Sequence, residues 1–405
     1  MKILILNQPT SNRGDEAAHR SLVRGLNRLF PEAKVTVFFT QVIQDNVNQM
    51  MVDSSQNKYV NVCSSIRGSS FAERWGLRLG LRTLASLHPA HRLLVKYIRD
   101  ADVVVCAPGG ICMGLFQSWG HIYNLDLALL CHKKVAYYSR SFGPFPIETQ
   151  WNRIFKKISY HLLNRFDFIS IRDAKTMQLA DKIGLSYIPS IDTAFLDTPR
   201  VELPDDLKKI IGNKEYVVFV PNTLRWHPAF KNCPESYLED FYLHIMNLLL
   251  KKYQNADILM LPQLFNVGKK GDMEYFLRLK KLASNNRIKV ISDQYSSDIQ
   301  QTIISNAKLM IGARYHSVVF AINNEVPFVA LSYEHKVSGL LQILGLQEYI
   351  FDIEHLGENQ PDISSAINEI EEIMQRTKVN KLAKKKAQDI AKECMNQFVG
   401  RYRNL

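Results

Sequence analysis

Arg314 and His316 stand two residues apart, directly after the apolar run Leu309–Ile311 and Gly312. An arginine carries a fixed planar fork that grips a carboxylate or phosphate through two parallel hydrogen bonds, and a histidine gives or takes a proton near neutral pH. Together they suit a small anion that must also be protonated. The same types also cap strand ends and bond to backbone in structural networks, an alternative that residue type leaves open. Their setting is a strand, a turn, an apolar segment of helical length and a second buried strand over Val326–Leu331. In open α/β sheets ligands sit outside the carboxyl ends of such strands, where the next helix offers unpaired N–H groups and its positive dipole end. Tyr315 lies between the pair, and Glu334, His335 and Lys336 follow the second strand.

The elements needed to hold these residues alternate along the chain. Lys2–Leu6 reads as a strand, Asn7–Asp15 as a loop of turn residues, Glu16–Phe30 as a helix and Val35–Thr40 as a strand. Asn12, Arg13, Gly14 and Asp15 therefore lie on a loop over a sheet edge, a usual place for ligand contacts, although Asp15 also suits a helix cap. Asp102–Ala107 is a strand running into Pro108–Gly110, where Gly109 and Gly110 let backbone approach a ligand or simply turn the chain. Gln117–Leu130 reads as a helix bearing His121, and Lys134–Arg140 as a strand whose Arg140 could meet substrate. Phe166–Arg172 is a strand that ends on Arg172, a second candidate anion ligand; its alternative is an ion pair with Asp173 or another local acid.

Ser54–Asp100 shows no clear strand. Within it Arg74, Arg78 and Arg82 recur every four residues beside Phe71, Trp75 and Leu79, so a helix there carries an arginine stripe next to an apolar one. Arg67–Arg99 holds seven basic residues against the single acid Glu73. Such a patch is consistent with weak contact with a membrane surface, although a solvated face is the commoner explanation of a charge run.

Pro199–Lys214 is polar and reads as an interdomain linker. Beyond it a fresh series begins: strands at Tyr216–Pro221 (ending at Asn222–His227), Asp257–Leu261, Lys289–Ser292 and Lys308–Ile311, with helices at Tyr237–Lys252, Tyr275–Ala283 and Ile299–Ala307. Strands alternating with helices at this interval predict parallel sheets covered on both faces. The expected organisation is an α/β protein of two doubly wound, Rossmann-like domains: residues 1–198, a linker at 199–214, a second domain at 215–380, and a last helix over 381–405.

A chain of 405 residues with 46% hydrophobic content has ample material for two cores. It opens without a signal-peptide apolar region, and no later run approaches the ~20 apolar residues needed to cross a bilayer, so a cytoplasmic address is expected. Cys63, Cys106, Cys112, Cys131, Cys233 and Cys394 show no paired spacing, which predicts neither disulfides nor structural zinc. No metal is expected: H-E-x-x-H, P-loop and calcium-loop patterns are absent. The formal charge of +12 favours anionic partners without choosing among phosphorylated substrates, lipid headgroups and nucleic acid.

Gly312 to His316, Val326-Pro327 and Ser332 to Lys336 resemble the carboxyl-terminal signature of the polysaccharide pyruvyl transferase family, with Tyr315 where that family more often has leucine. The resemblance continues in order upstream at Asn12–Asp15, Pro108–Gly110, Ser139–Pro144, Ser170–Asp173 and Asp192–Phe195, covering most of residues 1–350. It implies the glycosyltransferase-B arrangement of two domains facing a cleft, with the last helix returning toward the first domain. It also implies transfer of a pyruvyl group from phosphoenolpyruvate, as co-substrate without another cofactor, to two hydroxyls of a sugar in exopolysaccharide, capsule or cell-wall synthesis.

On that resemblance Arg314 and His316 are the catalytic pair, and Arg314, Tyr315, His316, Arg172 and Lys336 bind the donor. Asn12, Arg13, Gly14, Asp15, Gly109, Gly110, His121 and Glu334 bind the acceptor, a lipid-linked oligosaccharide or polysaccharide at the inner face of the membrane. One rival reading is a glycosyltransferase of the same architecture using a nucleotide sugar. Another is a non-catalytic anion or nucleic-acid binder, against which stands the lack of any nucleic-acid module signature.

Overall fold

The computed structural model describes residues 1–40, 42–62, 69–265, 271–333 and 335–404. Cys63, Arg67 and Glu334, singled out above, lie outside the described residues. Two compact units emerge: Met1–Thr10 with Ala18–Leu196 and the chain from Asp389 onward, and Ser11–Ala17 with Asp197–Gln388.

In the first unit the described strands are β1 (Lys2–Leu6), β2 (Lys34–Thr40), β3 (Asn57–Val62), β4 (Val103–Cys106), β5 (Lys134–Arg140), β6 (Phe168–Ile171) and β7 (Ile188–Pro189). They form one parallel sheet in the order β3-β2-β1-β4-β5-β6-β7. Interior strands of such a sheet are covered on both faces and therefore read as unbroken apolar runs; all four residues of β4 are buried. The core joins Leu4, Leu6, Val104, Tyr137, Phe155 and Ile171, each large side chain contributing roughly 1.5–3 kcal/mol by burial. The edge strand β3 was not expected. Its sequence is half polar because it sits at the sheet margin and is mostly only partly buried.

The arginine stripe is also corrected. Ser69–Arg78 is a helix, but the Arg78 guanidinium stands 5.7, 4.7 and 4.1 Å from the ring centroids of Trp75, Trp119 and Trp151, and Arg82 pairs with buried Asp126 at 3.1 Å. These two cations serve internal packing rather than a solvent-facing row.

In the second unit the described strands are β8 (Tyr216–Val220), β9 (Asp257–Met260), β10 (Ile288–Val290), β11 (Met310–Gly312), β12 (Phe328–Ser332) and β13 (Ile350–Asp352). They too form a parallel sheet, ordered β10-β9-β8-β11-β12-β13. The chain winds outward from β8 to β10, then returns to lay β11 beside β8, so the topological switch point lies between those two strands. The stretch read as a linker contains the helix Asp205–Ile211, whose Leu207 and Ile211 are buried in this unit. The final helix, Lys381–Tyr402, has its last part in the first unit, where Phe398 meets Tyr138 and Phe168.

Candidate active site

The β11 register sets Gly312 opposite Val220 of β8, and the next N–H, that of Ala313, donates to the Val220 carbonyl at 2.8 Å. The loops after β8 and β11 thus leave the sheet side by side at the switch point, the place where doubly wound sheets bind ligands. Arg314 precedes the helix Tyr315–Asn323, and the Ser317 hydroxyl donates to the Arg314 carbonyl at 2.6 Å. A Cβ at Gly312 would overlap Ser317 Oγ, so only glycine lets the strand turn this tightly into the helix.

Arg314 is held by a partner that sequence reading missed. Its Nη2 makes an ion pair with Asp272 Oδ1, while Asp272 Oδ2 accepts the N–H groups of Gln263 and Leu264 at 2.8 and 3.0 Å. Burial works against the arginine's charge, but the Asp272 carboxylate, together with Tyr333 and Tyr242, offsets this, and the pKa ends above its ordinary value. Arg314 Nε has no hydrogen-bond partner among the described residues. Asp272 opens the helix Asp272–Ala283, so in sequence it looks like an ordinary acid in a first turn.

His316 lies in the first turn of the same helix as Tyr315, 7% exposed, its ring edge-on to Tyr315 at 4.9 Å. Lys336 is half-buried in the first turn of the helix His335–Leu344, just past β12. Arg314, Tyr315, His316 and Lys336 are therefore gathered at the carboxyl edge of one sheet.

The first loop is found in this unit as well. Asn12, not Asp15, caps the helix Arg13–Leu29 by accepting the Gly14 N–H at 2.7 Å; Asp15 stands in its first turn. Gly14 packs against the His316 ring so closely that a Cβ there would overlap it. Arg13 is wholly enclosed: it pairs with Glu16 at 2.5 Å, donates to the Asp293 carbonyl at 2.5 Å and lies 3.7 Å over the Phe265 ring. Glu16 in turn accepts from the N–H and hydroxyl of Ser297 at 2.9 and 3.0 Å. The Arg13 side chain thus helps fix the loop in place.

The other expected site residues belong to the first unit. Arg172 forms a buried ion pair with Asp192, whereas Asp173 caps the following helix through the Thr176 N–H at 2.8 Å. That pair is an ion pair of the kind left open above for Arg172. His121 is buried with Nε2 at 3.6 Å from Cys106 Sγ, and burial, followed by the charge of Arg140, holds its pKa well below the ordinary value. Gly109 and Gly110 line the end of β4, where Arg140 is fully buried and directs its fork at the carbonyls of Ala107 and Gly110. Arg140 is accordingly a loop clamp rather than an exposed substrate contact. Among the described residues no cluster of three or more His, Cys, Asp or Glu could hold a metal ion, and no helix is long and apolar enough to cross a membrane.

The sequence profile of the polysaccharide pyruvyl transferase family matches residues 12–335. The amylovoran biosynthesis protein AmsJ of Erwinia amylovora is 23% identical, covering 93% of this chain and 94% of its own. Among solved structures, a putative UDP-N-acetylglucosamine 2-epimerase from Listeria monocytogenes aligns over 100% of this chain and 97% of its own, with a TM-score of 0.58 and 10% identity. The UDP-GlcNAc 2-epimerase of Methanocaldococcus jannaschii aligns over 99% and 100%, with a TM-score of 0.58 and 13% identity. Anabaena Alr3699/HepE in complex with UDP-glucose aligns over 100% of both chains, with a TM-score of 0.53 and 14% identity. At such identities these likenesses speak to the fold alone.

Proposed function

Because this chain belongs to the polysaccharide pyruvyl transferase family, we propose that it moves the pyruvyl group of phosphoenolpyruvate onto two hydroxyls of one sugar, closing a cyclic ketal and releasing phosphate. The observation that carries this reading is the Arg314 fork, anchored by Asp272 at the β8/β11 switch point with His316 one helical step away. The donor presents a carboxylate and a phosphate. Arg314 and the N–H groups opening its helix grip the carboxylate, and Lys336 meets charge building on the departing phosphate. Protonation of the donor methylene makes an oxocarbenium-like carbon that the first sugar hydroxyl attacks. Attack by the second hydroxyl with loss of phosphate closes the ketal. His316 serves one of the required proton transfers.

The similarity to an amylovoran biosynthesis protein supports a saccharide destined for an exopolysaccharide as acceptor. The test is incubation with phosphoenolpyruvate and a glycoside panel, reading free phosphate and product mass. Coupled phosphate release and a glycoside heavier by one pyruvate ketal are expected. Thermal stabilisation by uridine or guanosine diphosphate sugars but not by phosphoenolpyruvate would overturn the reading in favour of glycosyl transfer.

A further inference from the structure

The loop that leaves β8 beside Arg314 is built to push one aromatic side chain outward. Asn222 is fully buried; its N–H donates to the Tyr242 hydroxyl at 3.2 Å, and that hydroxyl donates back to the Asn222 carbonyl at 2.8 Å. Leu224 is also fully buried, with φ 51, a left-handed conformation that a bulky residue adopts only when its surroundings impose it. The His227 N–H closes the turn onto the Leu224 carbonyl at 2.9 Å. Between these anchors Arg225 and Trp226 project, and Trp226 is 52% exposed. Of the four tryptophans it alone is exposed.

The indole is not a stray surface ring. It meets Tyr333 edge-on at 5.8 Å and His227 at 5.7 Å, while His227 meets Tyr333 at 5.7 Å. Tyr333 follows β12 directly, and its phenol lies within electrostatic reach of Arg314. The loops after β8 and β12, on either side of β11, therefore converge on an aromatic platform of Trp226, His227 and Tyr333 flanking the arginine, while Arg225 pairs with Glu235.

We propose that Trp226, framed by His227 and Tyr333, is the acceptor subsite and takes a pyranose ring against its indole face. The inference rests on the pyruvyl transfer reading: two hydroxyls of one ring must reach the carbon beside the carboxylate that Arg314 holds. A sugar ring has an apolar C–H face and a polar hydroxyl rim, matching a flat indole bordered by an imidazole and a phenol. This centres acceptor recognition on Trp226 rather than on Arg13 and His121, both buried.

Saturation-transfer NMR without phosphoenolpyruvate tests the platform, using methyl β-D-galactopyranoside, methyl β-D-glucopyranoside and methyl α-D-mannopyranoside. The wild type is expected to saturate ring C–H protons of at least one glycoside. Trp226→Ala should abolish the signal and Trp226→Phe retain part of it. In turnover assays Trp226→Ala should raise the acceptor KM about tenfold or more while the donor KM stays unchanged. An equal signal from Trp226→Ala, no signal from any glycoside with the wild type, or a Trp226-dependent signal from uridine diphosphate instead overturns the proposal. Thermal shift with phosphoenolpyruvate, run in parallel, separates the two ideas. Trp226-dependent glycoside binding without donor stabilisation supports the platform and sinks the reaction.

Discussion

Lysine at position 314 would keep the charge but not the fork, and it could not hold Asp272 and a substrate carboxylate in one plane. Arg314→Lys and Arg314→Ala are both expected to weaken phosphoenolpyruvate binding by roughly tenfold to a hundredfold, since a hydrogen bond to a charged group contributes about 1.5–3 kcal/mol. Donor titration by calorimetry measures it; a folded Arg314→Lys protein with wild-type affinity would remove the fork argument. His316 predicts a different split. His316→Gln should lower turnover about 100-fold to 10,000-fold with little change in donor affinity, because positioned proton transfer acts in the transition state. A weakened donor constant with unchanged kcat would make His316 a binding residue. At this scale the chain order already displayed Arg314, Tyr315, His316 and Lys336 as strand-end residues. Asp272, 42 residues before Arg314, carried no local mark, because its role exists only where two strand ends meet.

The turn from β11 into its helix works by exclusion of side-chain volume. Gly312 makes room for Ser317, and Gly14 from a distant loop makes room for the His316 ring. Gly14→Ala is therefore expected to displace the imidazole and cut turnover about as deeply as loss of His316, roughly 100-fold or more, while donor binding through Arg314 survives. Gly400→Ala is the control: it lies in the helix Lys381–Tyr402 with nothing near its would-be Cβ, so it should leave activity intact and stabilise by up to about 1 kcal/mol. Steady-state kinetics and thermal melts of both variants decide the matter. Equal activity of Gly14→Ala and wild type would show that the loop yields and the ring does not.

For the whole molecule, acid is a specific threat through His19. Its ring is completely buried beside Tyr59, neither nitrogen has a hydrogen-bond partner among the described residues, and burial, followed by the charge of Arg20, lowers its pKa to about 3. The unfolded chain takes up this proton below about pH 6.5, whereas the native state refuses it until about pH 3. The contribution to stability is thus complete above pH 6.5 and declines across that window, at a limiting slope of about 1.4 kcal/mol per pH unit. Urea unfolding between pH 7 and 5 should show a shallower loss for His19→Phe than for wild type. Parallel pH profiles would mean that His19 is already hydrated or paired in solution.

Alternation of apolar runs with helical segments determined two parallel α/β sheets, since strands buried on both faces must be continuously apolar wherever they occur. Local order also determined that Arg314 and His316 follow a strand, because both lie within one turn of it. Partnership was decided only by the tertiary structure. Arg172 and Arg314 look alike in sequence, each an arginine past a strand end, yet one is matched by buried Asp192 and the other stands at the switch point with Asp272 behind it. The same holds for Arg78, which sequence periodicity places on a charged stripe and folding places among three tryptophans. Periodicity reports which face of an element a residue occupies. What that face meets depends on segments tens to hundreds of residues away, and only packing brings those together.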